Sequence, residues 1–113
     1  MMQAPGTSHQ VLETIWKAVR GIPRGQVSSY GAIAKRVGLP GRARLVGYAM
    51  KVCPKDLPWH RVVGSGGRIV FPPASRHFAE QRKRLRSEGV TLKGGRVVSE
   101  GASSLDELLW KRP

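Results

Sequence analysis

Apolar residues recur along this chain with two rhythms. Val11, Leu12, Ile15, Trp16 and Val19 have the three- and four-residue spacing that gathers side chains on one face of a helix, which predicts a helix from about Ser8 to Arg20. Thr7 or Ser8 can cap it, and Gly21 with Pro23 stops it. A second helix is expected from about Tyr30 to Val37, capped by Ser28 or Ser29, with Ile33, Ala34 and Val37 inward and Gly38 at its end. After the short turn Leu39-Pro40-Gly41, a third helix is expected from Arg42 to Val52, with Leu45, Val46, Ala49 and Met50 on one face and Pro54 as terminator. The rhythm then changes. Val62-Val63 favours extended chain, Gly64 to Gly67 reads as a tight turn, and Arg68-Ile69-Val70-Phe71 is a short apolar stretch ended by Pro72-Pro73. A cationic helix follows from about Ser75 to Glu88, with Phe78, Gln81, Leu85 and Glu88 near one face. Val90–Leu92 and Arg96–Val98 form a small hairpin around Gly94-Gly95, and Leu105–Trp110 is a last amphipathic turn or two. The expected fold is one domain over residues 1–113, mostly α with a small β component, with a flexible stretch at 1–7.

Charge narrows the function. Twenty Lys and Arg against seven Asp and Glu give +13. Between Thr14 and Ala79 the only acid is Asp56, against twelve cations. A basic folded domain without an apolar anchor points to nucleic acid, whose phosphates release counterions when neutralised. No apolar run approaches the roughly 20 residues of a spanning helix, and MMQAPGTSHQ lacks the apolar core of a secretory signal. The lone Cys53 can form no internal disulfide, and with three histidines it gives a weak basis for structural zinc. The expectation is a soluble, cytoplasmic monomer with no membrane, metal or cofactor, associated with the nucleoid in a bacterium.

The two short helices around a glycine-containing turn read as a helix-turn-helix. Ala43, Gly47 and Ala49 leave the third helix small. That suits either close approach to a groove or close packing inside the core.

Pro58-Trp59-His60-Arg61-Val62 makes a resemblance specific. It resembles the active-site segment Pro-Cys-His-Arg-Val of the 6-O-alkylguanine-DNA alkyltransferases, with tryptophan at the acceptor cysteine. Ile22–Gly31 is similar to the stretch leading into that family's helix-turn-helix, Arg44–Met50 to its recognition helix, and Ser87-Glu88-Gly89 to its late Glu-Gly. Leu109–Pro113 resembles the tail of the alkyltransferase-like subgroup. The resemblance implies a winged helix-turn-helix-type domain like the C-terminal domain of the alkyltransferases. It also implies binding of double-stranded DNA containing alkylated guanine through the minor groove, with the nucleotide rotated out.

The swap removes the chemistry. Alkyl transfer needs a soft, activated nucleophile, and indole offers none. His60 could relay a proton and Glu88 could orient it, but there is nothing to activate. Cys53 stands where the family usually has an orienting asparagine. It is a structural residue or, on the rival enzymatic reading, a displaced nucleophile. Trp59 is either a core residue or, as the resemblance implies, the surface met by the extruded guanine. The resemblance further implies a lesion pocket of Tyr30, Pro58, Trp59, His60 and Val62, with Arg44 as the finger filling the vacated stack. Ser29, Lys35, Arg36, Ala43, Gly47, Arg61, Ser65 and Arg68 are expected to contact DNA, and Glu88 and Cys53 to support the site. The loop from Arg68 to His77 departs from the family's Gly-Tyr loop, and Arg68 or Arg76 is a candidate for a base or phosphate contact. The function implied is non-enzymatic flagging of the lesion for nucleotide excision repair proteins. The other rival is a winged-helix regulator that reads sequence.

Overall fold

Leu12, Ile15, Trp16 and Val19 turn one stripe of α1 (His9–Arg20) inward, and the rest of the first core assembles on it. The structure, a computed structural model, describes residues 9–98. The proposed cap at Thr7 or Ser8, the flexible stretch at 1–7 and the last amphipathic turn at Leu105–Trp110 fall outside them.

The elements run α1, β1 (Ser28–Ser29), α2 (Tyr30–Arg36), α3 (Ala43–Lys51), β2 (Val62–Val63), α4 (Arg76–Ser87), β3 (Leu92–Lys93) and β4 (Arg96–Val97). A 3₁₀ turn at Trp59–Arg61 precedes β2, and another at Ser65–Gly67 follows it. Each expected helix appears within a residue or two of its anticipated ends.

Ser29 caps α2: its hydroxyl accepts the Ala32 backbone N–H at 3.0 Å. The α2–α3 turn passes through Gly41 at φ +84°, a left-handed conformation that side chains disfavour. Ile33, Ala34, Leu45, Val46 and Ala49 pack beneath this turn against α1. The Trp16 indole N–H donates to the Ala49 carbonyl at 2.9 Å, fixing α3 on α1. Ala49 is therefore core. Gly47 differs: a methyl group built there would meet nothing within 4 Å, so no intramolecular packing requires its smallness.

β1 and β2 pair in parallel, Ser28 with Val62 and Ser29 with Val63. Successive strand residues point to opposite sides. Val62 accordingly enters the first core, while Val63 enters a second made with Val27, Leu85, Val90 and Val97. The Trp59 segment thus runs along the seam between the two cores. β3 and β4 form the expected antiparallel hairpin, Leu92 opposite Val97. The Arg68–Phe71 stretch contributes one bridge, Arg68 to Arg96.

Candidate nucleic-acid interface

The parallel pair places the start of α2 beside the Trp59 segment, two regions about thirty residues apart. Between them opens a cleft of about 700 Å³. Tyr30, Trp59 and Val62 line it. Gly47 and Tyr48 of α3 also face it, and Cys53 follows at the end of the helix. Burial pushes the Tyr30 phenol above its usual range, so it stays neutral.

Phe71 and His77 complete the cleft and were not singled out from the sequence. Their rings stack at 5.1 Å with a 26° interplanar angle. Each meets Trp59 edge-on, at 6.0 and 6.2 Å between centroids. The Arg84 guanidinium lies 5.5 Å from the Trp59 ring centroid, within cation–π range. Trp59 therefore stands in an aromatic enclosure, and its role is not that of a core residue: it is half-buried and faces an open cleft. The available signal was the rings on either side of Pro72-Pro73, Phe71 before and His77-Phe78 after.

Pro58 and His60 are not among the lining residues. They belong to the support beneath Trp59. His60 is buried, with Nε2 2.7 Å from Glu88 Oε2. Burial lowers the His60 pKa below its ordinary 6.5, with the Glu88 hydrogen bond and charge opposing, so the ring is neutral at neutral pH. In that state Nε2–H donates to the carboxylate. Nδ1 is left as an acceptor, buried and without a hydrogen-bond partner among the described residues.

Arg61 corrects an expectation. Expected at the DNA, its fork instead closes on Glu88: Nε donates to Oε1 at 3.0 Å and Nη2 to Oε2 at 2.8 Å. Its Nη1 donates to the Ile22 carbonyl at 2.9 Å. Both ends of the guanidinium are committed inside the protein, so Arg61 holds the segment in place and does not reach a phosphate. Glu88 Oε1 also accepts the Gly25 N–H at 3.1 Å. Burial raises the Glu88 pKa, but the hydrogen bonds from Arg61, His60 and Gly25 outweigh it and hold the carboxyl at about 2. Glu88 thus ties together the Gly25, His60 and Arg61 segments. Gln81 is a further anchor: its buried amide donates to the His60 and Val62 carbonyls at 3.0 and 2.9 Å.

Ser29 also takes another task. Its side chain is buried, and its hydroxyl oxygen accepts the Ala32 N–H in the α2 cap, so it serves the helix. Arg44 is exposed in the first turn of α3, and Lys35 and Arg36 are exposed in the last turn of α2. Ala43 is half-buried at the start of α3. Ser65 and Arg68 are exposed beyond β2 and outside the cleft, and Arg76 is exposed at the start of α4. Cys53 does face the cleft, but burial pushes its thiol up, away from the thiolate that attack requires. Among the described residues no cluster of histidine, cysteine and carboxylates could hold a metal, and no helix is long and apolar enough to cross a membrane.

Residues 10–90 match the family model described as 6-O-methylguanine DNA methyltransferase, DNA binding domain. Alkyltransferase-like protein 1 of Schizosaccharomyces pombe is 41% identical over 99 residues, 86% of this chain and 91% of that protein. The DNA base-flipping protein of Vibrio parahaemolyticus is 42% identical over 83 residues, 72% of this chain and 81% of that one. The crystal structure of S. pombe Atl1 in complex with damaged DNA containing O6-carboxymethylguanine superposes with a TM-score of 0.69 at 40% identity, covering 77% of this chain and 82% of that one. The methylated-DNA--protein-cysteine methyltransferase of Mycobacterium leprae is 43% identical over 67 residues, only 39% of its own length. With a helix-turn-helix beside an aromatic cleft and Trp59 at the acceptor position, the chain belongs to the alkyltransferase-like branch of the 6-O-methylguanine DNA methyltransferase DNA-binding-domain family.

Proposed function

We propose that this protein recognises 6-O-alkylguanine in double-stranded DNA without repairing it. The observation that carries the reading is Trp59. It takes the place of the acceptor cysteine, yet Arg61, His60, Gln81 and Glu88 still hold its segment at the mouth of a cleft beside the helix-turn-helix. The machinery that positions a residue against an extruded base is kept, and the nucleophile is absent.

In this reading the protein binds the minor groove with α3, and the open space at Gly47 lets the backbone approach closely. Arg44 fills the gap left in the stack. The rotated base enters the cleft against Trp59, with Phe71 and His77 as the adjoining wall. Base–aromatic stacking contributes roughly 1–3 kcal/mol, which offsets the few kcal/mol that unstacking costs. The protein acts as a monomer in the DNA-containing compartment. The bound, distorted duplex is then handed to nucleotide excision repair proteins. Names given to relatives, a base-flipping protein and a partner of damaged DNA, support this reading.

The decisive experiment is competition between duplexes that differ only by one 6-O-methylguanine. At least tenfold preference for the methylated duplex is expected, about 1.4 kcal/mol. Equal affinity, or preference governed by the surrounding sequence, would replace this reading with a sequence-specific regulator. A methyl adduct on Cys53 in the mass spectrum after incubation would replace it with an enzyme.

A further inference from the structure

A second depression, of about 930 Å³, shares Phe71 with the cleft as a common wall. It is enclosed by the Arg68–Pro73 loop, the first half of α4 and the turn from Lys93 to Arg96. Val70 is 50% exposed here, among the most exposed large apolar residues described, and Pro72, Pro73 and Ala79 are exposed beside it. The groove is a built feature. The Gly95 backbone presses on Phe78 so closely that a methyl group there would lie 2.9 Å from the ring. Its rim is cationic, with Arg68, Arg82, Lys93 and Arg96, and no acidic residue among those described lines it.

An apolar floor inside a cationic rim fits a segment in which apolar side chains alternate with carboxylates. A DNA backbone would use the rim and leave the floor bare. The chain itself supplies a fitting segment. Arg96, which lines the groove, belongs to β4, and Val98 follows that strand. Residues Ser99–Pro113 come next and hold three of the chain's seven acids, Glu100, Asp106 and Glu107. Asp106 and Glu107 sit among Leu105, Leu108, Leu109 and Trp110. The seven chain steps from Val98 to Leu105 can span up to about 24 Å when extended.

We propose that Leu105–Trp110 docks intramolecularly in this groove. Its leucines and Trp110 cover Val70, Pro72 and Ala79, while Asp106 and Glu107 face the cationic rim. The docked segment neutralises part of a strongly basic surface and backs the Phe71 wall of the cleft.

The test attaches a nitroxide to Lys111→Cys in the full chain carrying Cys53→Ser, and reads broadening of backbone amide signals. The Val70, Ala79 and Gly95 amides should lose more than half their intensity, while those of Leu12 and Ala34 keep theirs. Asp106→Lys with Glu107→Lys should abolish the selective loss, and adding Lys93→Glu with Arg96→Glu should restore it. Broadening that is spread evenly, centred elsewhere or indifferent to these charge reversals overturns the proposal. So does an undamaged duplex that shifts the Val70 and Gly95 amides equally with and without the tail reversals, because the groove would then be a DNA site.

Discussion

Around Ile33 and Val46 the helix-turn-helix is held mainly by apolar packing, with the Trp16 indole tied to the Ala49 carbonyl. The Trp59 segment, joined to it by two residues of parallel strand, rests on hydrogen bonds converging from distant parts of the chain. The first region tolerates the loss of any single polar contact, because the transfer of apolar surface from water is shared among many side chains. The second does not, because Glu88 alone receives Arg61, His60 and Gly25. A scaffold for presenting one residue to a base needs that directionality: hydrogen bonds fix orientation, which apolar packing does less sharply. This region retains the positioning of an enzyme's active site without its reactive atom.

The largest expected effect comes from Glu88→Ala. It leaves Arg61, whose side chain is only 16% exposed, without its carboxylate. Breaking a buried pair from one side costs about 3–5 kcal/mol, a large part of the stability of a domain this size. Urea unfolding should show it, and selectivity for alkylated duplex should fall too. By contrast, Ser29→Ala, which removes one cap from the helix-turn-helix, should cost about 1 kcal/mol. Comparable losses at the two positions would erase the distinction between the regions.

The same difference explains what could be read from the sequence. All four helices, the hairpin and the inward faces follow from periodicity, because each depends on neighbours three or four residues away. The cap at Ser29 follows from local chemistry as well. The roles of Arg61 and Gln81 do not. An arginine in a basic chain reads as a DNA contact until a carboxylate 27 residues away is found beside it. Phe71 and His77 escaped for a similar reason: their ring stack is made by a loop folding back, with no periodic signature. The roles proposed for Arg44, Tyr30 and Trp59 rest on the family resemblance and not on periodicity.

Acid should separate the regions next. Glu88 titrates at about 2 in the folded chain against a usual 4.5, so the unfolded chain takes up that proton first. Its stabilisation is complete above about pH 4.5 and is lost as pH falls toward 2. His60 has a folded pKa below its ordinary 6.5, so it too favours the unfolded chain as pH falls below 6.5. Both signs agree. Thermal midpoints should be highest at or above neutrality and drop in two stages on acidification. Glu88→Gln should remove the lower stage. A midpoint independent of pH between 7 and 3 would show that the network does not hold the fold.

A smaller effect, on binding alone, distinguishes Arg44 from Lys35. Both are exposed, and charge alone would make them equivalent. Lys35→Ala should weaken damaged and undamaged duplex alike and reduce the salt slope by about 0.9, the share of one phosphate contact. Arg44→Ala should weaken damaged duplex further, by about tenfold, since nothing then fills the vacated stack. A 2-aminopurine beside the lesion should brighten with the unaltered protein and brighten less with Arg44→Ala. Equal brightening would reject the finger.

The smallest expected effect is on chemistry: Trp59→Cys should give little or no methyl transfer. The substitution restores the family's Pro-Cys-His-Arg-Val, and the new thiol would stand next to a His60 already oriented by Glu88. Orientation of the histidine is not sufficient. In-line attack needs sulfur within roughly 3–3.5 Å of the alkyl carbon, and misplacement by about 1 Å costs on the order of a hundredfold. The cleft is already about 700 Å³ with the indole in place, and removing the indole enlarges it. Phe71 and His77 lose the ring they meet edge-on, so the wall that would press the base toward the sulfur loses its own support. On the family resemblance Cys53 stands where an orienting asparagine is expected, and a cysteine brings no amide to the loop. Binding of damaged duplex should persist in weakened form, since cysteine offers the base far less surface. The measurement is transfer of label from a methylated oligonucleotide to the variant. Fast stoichiometric transfer would show that the cradle and the cleft together still hold a base at reacting distance, and that the nucleophile alone separates this chain from an alkyltransferase.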